Sequence, residues 1–316
     1  MRIIFMGTPD FSVPTLESLI QSRHQVIAAV TQPDKPKGRG KEIQMTPVKE
    51  TALKHHIPVY QPARARDPEF VEEMRALKPD VMVVIAFGQI LSKELLEVPR
   101  YGCVNLHASL LPKYRGAAPI QWAVINGDEE TGVTSMMMDV EMDTGDMLEK
   151  VTVKLDPEET GGSLFDRLSL LGGDLILSTL DKLEAGTVVP EKQDHEKATY
   201  VKKISKSMGD IDWTMDAAAI ERLVRGLNPW PSAYTRLNGK LLKIWKAGVL
   251  DDPAPQPEAA ACGQIVKASG GQLLVRTGGG ILSLLEVQLE GKKRMDAAAF
   301  LRGFPVETGT VLERSE

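Results

Sequence analysis

The chain opens on RIIFM at residues 2–6, whose apolar run IIFM predicts a short buried strand, and Gly7-Thr-Pro-Asp10 then leads into helical periodicity reaching Ser22. The strand-then-helix alternation returns: apolar runs at 25–31, 57–60 and 80–87 are separated by helical patterns at 47–56 and 68–78. Both helices begin with a capping-type side chain followed by proline, Thr46-Pro47 and Asp67-Pro68, where the missing proline N–H costs nothing. The run VMVVIAF at 81–87 lacks apolar–polar alternation, so its strand is covered on both faces, and such strands joined by helices build a parallel sheet. The expected fold is therefore α/β, a doubly wound, mostly parallel sheet of Rossmann type. A strand at 103–108, a helix near 119–127, strands at 132–140 and 147–155 and a helix at 163–185 complete it.

Past that helix the pattern changes. Residues 188–207 are polar without sustained periodicity and predict an extended linker. One helix near 216–227 precedes short β-rich segments at 233–237, 241–249, 263–268, 272–276 and 281–289, and Asn238-Gly239 joins the first two as a hairpin. A small C-terminal β-barrel, OB-like, is the natural reading. The expected division is 1–187, a linker at 188–207, and 208–316.

A hydrophobic share of 42% and a charged share of 26% allow an ordinary packed core. The longest strongly apolar run, Val81 to Phe87, is far short of the roughly 18 residues of a membrane span. The apolar start is too brief for a signal peptide, so a cytoplasmic location is expected, with no membrane partner. Cys103 and Cys262 lie far apart and in no CxxC or histidine-rich context, which argues against a zinc site. The formal net charge of −5 excludes a chain that coats nucleic acid by bulk attraction, and any such contact is local.

Gly7-Thr-Pro-Asp10 lacks the later glycines of GxGxxG that let a dinucleotide pyrophosphate approach the backbone, so an NAD-type cofactor is disfavoured. Asn105 and His107, two apart in a strand, leave the same face at the carboxyl end where α/β sheets place ligands. Alone, the pair reads first as a satisfied core histidine beside a turn-forming asparagine. The proline- and glycine-marked loop from Ser109 to Pro119, carrying Lys113, Tyr114 and Arg115, shifts the balance towards a site. Around Gly145, the stretch Met138 to Asp146 gathers four carboxylates; a solvated turn, a calcium loop of the wrong spacing, and a carboxylate partner for His107 are the three readings.

On the NxH at Asn105 and His107, the HxSLLPxxRG run from His107 to Gly116 and the Asp143-Thr-Gly-Asp146 loop, the chain resembles the methionyl-tRNA formyltransferase family, within the folate-dependent formyltransferases. Gly7-Thr-Pro-Asp-Phe11, Thr31-Gln-Pro-Asp34 with Gly38-Arg-Gly40, and Asn228-Pro-Trp-Pro231 extend the likeness nearly end to end. The resemblance implies 10-formyltetrahydrofolate as formyl donor, initiator methionyl-tRNA as acceptor and catalytic roles for Asn105, His107 and Asp143; a monomer without a metal is expected. Chemically, an Asn105 amide N–H and a His107 N–H suit a developing oxyanion, while Asp143 orients His107, holds its protonated form and takes the amine proton.

The same resemblance places Ser109, Leu110, Leu111, Pro112, Phe87, Gly88, Ile90 and Leu91 along the folate pocket, with Val140 and Met142 beside the acidic loop. Ser109 lacks a GxSxG elbow and reads as structural or folate-contacting, not as a nucleophile. Gly7, Thr8 and Phe11 are expected at the substrate. Residues 34–49 hold five basic and two acidic residues without apolar periodicity and read as a surface loop; in a formyltransferase acting on tRNA, as the resemblance implies, Arg39 and Lys41 are expected to reach phosphates. Lys292, Lys293 and Arg294 form a second basic cluster on the barrel. Two other readings remain: a folate-dependent formyltransferase acting on a small amine such as a sugar nucleotide or glycinamide ribonucleotide, and a nucleotide- or RNA-binding module with a decayed site.

Overall fold

The structure, a computed structural model, describes residues 1–37, 42–250 and 260–314. In chain order the elements are β1 (Arg2–Gly7), α1 (Val13–Gln21), β2 (Gln25–Val30), β3 (Lys35–Lys37), β4 (Glu42–Gln44), α2 (Pro47–Lys54), β5 (Val59–Tyr60), α3 (Pro68–Ala76), β6 (Val81–Ile85), α4 (Lys93–Leu96) and β7 (Cys103–His107). There follow β8 (Arg115–Gly116), α5 (Pro119–Asn126), β9 (Glu130–Met137), β10 (Met147–Lys154), α6 (Gly161–Ala185) and β11 (Tyr200–Val201). Thr46 caps α2 by accepting from the Lys49 N–H at 3.2 Å, whereas Asp67 makes no side-chain bond at the start of α3, so there the proline alone sets the first turn.

One sheet of seven strands runs in the order β10-β9-β7-β6-β1-β2-β5. From β5 to β7 neighbours are parallel, and β9 and β10 are added antiparallel. Residues 3–7 of β1 and all of β6 are apolar and buried because helices cover both faces. Strand order steps outward from β1 in both directions, so the crevice for a ligand opens at the carboxyl ends of β1 and β6.

The chain separates into two compact units, one of Met1–Pro119, Glu130–Lys154 and Phe165–Val201, the other of Ile120–Glu129, Leu155–Leu164 and Lys202–Glu316. The helix α5, read from sequence as part of the α/β unit, is packed within the second. Its Ile125 carbonyl accepts from Arg222 at 3.2 Å, and Gly226 presses against Ile125 so closely that a Cβ there would stand 2.4 Å from it. Linear order cannot carry such a partition, because periodicity names an element but not its neighbour.

The second unit adds α7 (Ala217–Gly226), β12 (Ala233–Leu237), β13 (Lys240–Val249), β14 (Ile265–Ser269), β15 (Gln272–Arg276), β16 (Ile281–Leu289), β17 (Met295–Asp296) and α8 (Ala297–Gly303). Its antiparallel order is β12-β13-β16-β15-β14, with β17 on β16. The tail, which shows no pattern in sequence, closes this sheet: Arg236 N–H donates to the Glu313 carbonyl at 2.9 Å, and Ile265 N–H to the Thr310 carbonyl at 2.8 Å, so 310–313 joins the two edge strands. Ile220, Val224, Leu242, Ile244, Leu282, Leu284 and Phe300 fill the interior.

Two segments read as featureless are ordered elements. Within 34–49, β3 and β4 pair antiparallel with Lys35 opposite Gln44. The 188–207 stretch contains β11, which pairs in parallel with β8. Neither the β3–β4 pair nor the bridge strand buries an apolar face, so no alternation marks them.

Candidate active site

Leu106 on β7 packs against α6, where a Cβ on Gly172 would come within 2.3 Å of it, so Asn105 and His107 leave the opposite face at the strand's carboxyl end. The Asn105 amide nitrogen donates to the Val84 carbonyl at 3.0 Å. A carbonyl only accepts, so this contact fixes the amide orientation and leaves Oδ1, buried and without a hydrogen-bond partner, on the other side. An orphaned acceptor of this kind costs about 1–3 kcal/mol and suits a donor brought by a ligand. The His107 ring sits with Nε2 2.8 Å from the Tyr114 carbonyl, which makes Nε2 the protonated nitrogen of the neutral ring. Nδ1 then faces Asp143 Oδ1 at 3.7 Å, an ion-pair separation longer than a hydrogen bond.

Asp143 turns inward: its side chain is 16% exposed, and Oδ2 accepts from the Gly116 N–H at 2.8 Å. Its backbone is left-handed, with φ of 55°, a conformation that costs about 1–3 kcal/mol unless its surroundings impose it. The loop lies tight on the sheet. Met137 N–H donates to the Asp146 carbonyl at 2.8 Å, and a Cβ on Gly145 would meet the Met137 oxygen at 1.7 Å, so only glycine fits. Of the three readings of the acidic stretch, the placement matches the carboxylate partner. Thr144 Oγ1, beside it, is also buried without a partner.

The geometry also bears on the donor role expected of His107. With Nε2–H held by Tyr114, the ring offers Nδ1–H to an oxyanion only when protonated. Ser109 is fully buried and its hydroxyl donates to the Lys113 carbonyl, closing the 109–113 turn. A nucleophilic serine does not fit that engagement.

The remaining expected residues fall into distinct environments. Thr8 donates to the Phe87 carbonyl at 3.0 Å, and Gln32 Nε2 reaches the Phe87 and Gly88 carbonyls at 3.2 and 2.9 Å, so the ends of β1, β2 and β6 are tied around the crevice. Gly7 is close-packed, since a Cβ would lie 2.9 Å from Ser12, and Phe11 is buried edge-on to Phe165 at 5.2 Å. Phe87, Leu91 and Leu111 are core residues, whereas Ile90, Val140 and Met142 stand 78%, 62% and 67% exposed. Leu110 and Pro112 are half-buried. Arg39 and Lys41 lie outside the described residues. Lys292 and Lys293 are exposed, and Arg294 pairs with Glu286 while its guanidinium lies 5.0 Å from the Trp245 ring, with Lys243 5.5 Å from the same ring.

At the base of β3, the Lys49 ammonium and then Gln61 hydrogen-bond Asp34 and hold its carboxyl below the usual carboxylate range. Burial pushes the Cys103 thiol up to about 12. Among the described residues one set of possible metal ligands converges, His24, Asp181 and Glu184, but Arg23 already bridges both carboxylates at 2.7 and 2.6 Å. A cleft of about 450 Å³ lined by Pro14, Glu50, Phe165 and Leu170 includes none of Asn105, His107 and Asp143.

Residues 1–180 match the family described as formyl transferase, and 203–305 the one described as formyl transferase, C-terminal domain. That is the class to which the doubly wound sheet with its Asn105–His107–Asp143 cluster and the antiparallel second unit correspond. Methionyl-tRNA formyltransferase of Agathobacter rectalis is 59% identical over 98% of this chain and 99% of its own, and that of Clostridioides difficile is 49% identical over 99% and 100%. The chain belongs to the methionyl-tRNA formyltransferase family. Solved structures share the fold: the sugar 3N-formyl transferase WlaRD at a TM-score of 0.68 and 16% identity, covering 93% of this chain and 99% of that one, and methionyl-tRNA formyltransferase from Clostridium thermocellum at 0.55 and 20%, covering 79% and 94%.

Proposed function

We propose that this chain transfers the formyl group of 10-formyltetrahydrofolate to the free amine of initiator methionyl-tRNA, in the cytoplasm and as a monomer. The observation that carries the chemistry is the convergence of Asn105, His107 and Asp143 at the carboxyl end of β7, with an unpartnered acceptor on Asn105 and the Asp143 carboxylate 3.7 Å from the imidazole. That the acceptor is a tRNA is supported by relatives of that name, 59% identical across nearly the whole chain.

The donor supplies an electrophilic formyl carbon, held between the 109–112 turn and the 86–91 loop. As the amine adds to that carbon, negative charge grows on the formyl oxygen. Protonated His107 meets it through Nδ1–H, because Nε2–H remains on the Tyr114 carbonyl. Asn105 Oδ1 accepts a hydrogen of the incoming amine and orients its lone pair, while the second amide hydrogen stays available to the oxyanion. Asp143 accepts the amine proton directly or through water; the tetrahedral intermediate then collapses, the bond from the formyl carbon to N10 breaks, and N10 takes up a proton as tetrahydrofolate leaves. Removing one such oxyanion donor typically costs about 10²–10³ in rate.

On the second unit, Lys292, Lys293 and Arg294 with Trp245 make a basic, aromatic face suited to phosphate and ribose. Arg39 and Lys41 serve the acceptor end.

The test is incubation of the chain with methionyl-tRNA and 10-formyltetrahydrofolate, read by acid-gel mobility, with an amino sugar nucleotide and glycinamide ribonucleotide in parallel. Product with methionyl-tRNA alone is expected. Product with only a small amine overturns the assignment.

A further inference from the structure

The segment 191–201 was expected to be a linker, yet it carries a buried polar bridge into the loop that bears Asp143. Gln193 is 5% exposed. Its Nε2 donates to the Asp143 carbonyl and to the Gly145 carbonyl, each at 2.8 Å. Its Oε1 accepts from Arg115 Nε at 3.0 Å and from the same guanidinium's NH2 at 2.7 Å. Every strong valence of this amide is therefore spent between the two halves of the cluster: the loop that presents the carboxylate and the loop that follows His107.

Arg115 is fully buried and also meets the Tyr200 hydroxyl at 3.0 Å and His195 Nδ1 at 3.3 Å. A buried guanidinium needs acceptors for its donors, and all of those it finds here, Gln193, His195 and Tyr200, come from 191–201. The same segment braces the backbone on which the cluster stands. Thr199 Oγ1 accepts from the Tyr114 N–H at 2.8 Å, and the Thr199 carbonyl from the Arg115 N–H at 2.7 Å. Tyr114 supplies the carbonyl that binds His107, and Gly116 the N–H that binds Asp143. Both anchors of the catalytic pair are thus set from 191–201.

We infer that Gln193, backed by Arg115, is a positioning residue for formyl transfer: it imposes the left-handed backbone at Asp143 and so fixes the carboxylate opposite His107. The inference rests on the function proposed above. A contact this close to the reacting groups has leverage, because a misplacement of about 1 Å lowers turnover by about 100-fold without touching substrate binding.

Gln193→Glu isolates the point. The new carboxylate keeps the contact with Arg115 but faces the Asp143 and Gly145 carbonyls with oxygens in place of an NH2, whereas Gln193→Ala removes both sides. Full-length wild type and variants are compared by steady-state formylation of methionyl-tRNA and by thermal unfolding. For Gln193→Glu, kcat falling about 100-fold is expected, with KM for both substrates little changed and cooperative unfolding retained. A fall in kcat of less than about tenfold, or a rise in KM with kcat unchanged, overturns the inference. So does loss of folding in both variants, since the role would then be structural. Wild type that fails to formylate methionyl-tRNA is a separate result and refutes the functional reading instead.

Discussion

Replacing Asp143 by asparagine removes one charge and almost nothing else. The amide oxygen can still accept from Gly116, and asparagine tolerates the left-handed backbone that φ of 55° requires. What is lost is the attraction between a carboxylate and a protonated His107 at 3.7 Å, and with it the acceptor for the amine proton, whose loss lowers turnover further. Both side chains are mostly buried, and at an effective dielectric constant of about 20 two unit charges at that distance interact by about 4 kcal/mol. If the ring is charged when the formyl oxygen gains its negative charge, that energy appears in the barrier, which predicts a kcat lower by about three powers of ten. Single-turnover formylation with saturating methionyl-tRNA isolates the chemical step. Asp143→Asn retaining more than about a tenth of wild-type turnover would refute the reasoning, for the pair would then be too weak to stabilise an imidazolium.

Other consequences are equally direct. Gly116→Ala puts a Cβ 2.6 Å from the Val201 carbonyl at a φ of 102°, and urea unfolding should show a loss of at least about 1–3 kcal/mol; unchanged stability would mean β8 and β11 do not pair as described. Because Lys49 holds the Asp34 carboxyl below its unfolded value, its stabilisation is complete above the ordinary aspartate pKa and disappears as pH falls through the folded one. The gap in melting temperature between wild type and Lys49→Met should therefore be open at neutral pH and close in acid, and a gap independent of pH contradicts the ion pair. Cys262 is exposed and the buried Cys103 thiol is pushed up to about 12, so a thiol reagent at mildly alkaline pH should modify only Cys262 in the native chain and both cysteines after denaturation.

Apolar runs at 2–6, 25–31 and 80–87 declare buried strands before any coordinate is known, because a strand covered on both faces has no other composition open to it. The helices between them, and hence the doubly wound sheet, follow from the same pattern. Strand periodicity put Asn105 and His107 on one face, but their role and that of Asp143 came from the family resemblance, since the acidic stretch by itself left three readings open. Gln193 and Arg115 were not legible as partners. They are 78 residues apart, and their importance lies in a hydrogen bond that exists only after β8 and β11 pair.

Local sequence also could not say that α5 packs with α7, that 310–313 closes the barrel, or which nitrogen of His107 carries the proton. Each is decided by a carbonyl, an N–H or a neighbouring helix delivered from far along the chain. Hydrophobic periodicity reports how much of a segment is buried and on which side. Hydrogen bonds between distant backbone groups leave no such periodic trace, and it is they that aim the Asp143 carboxylate at the imidazole.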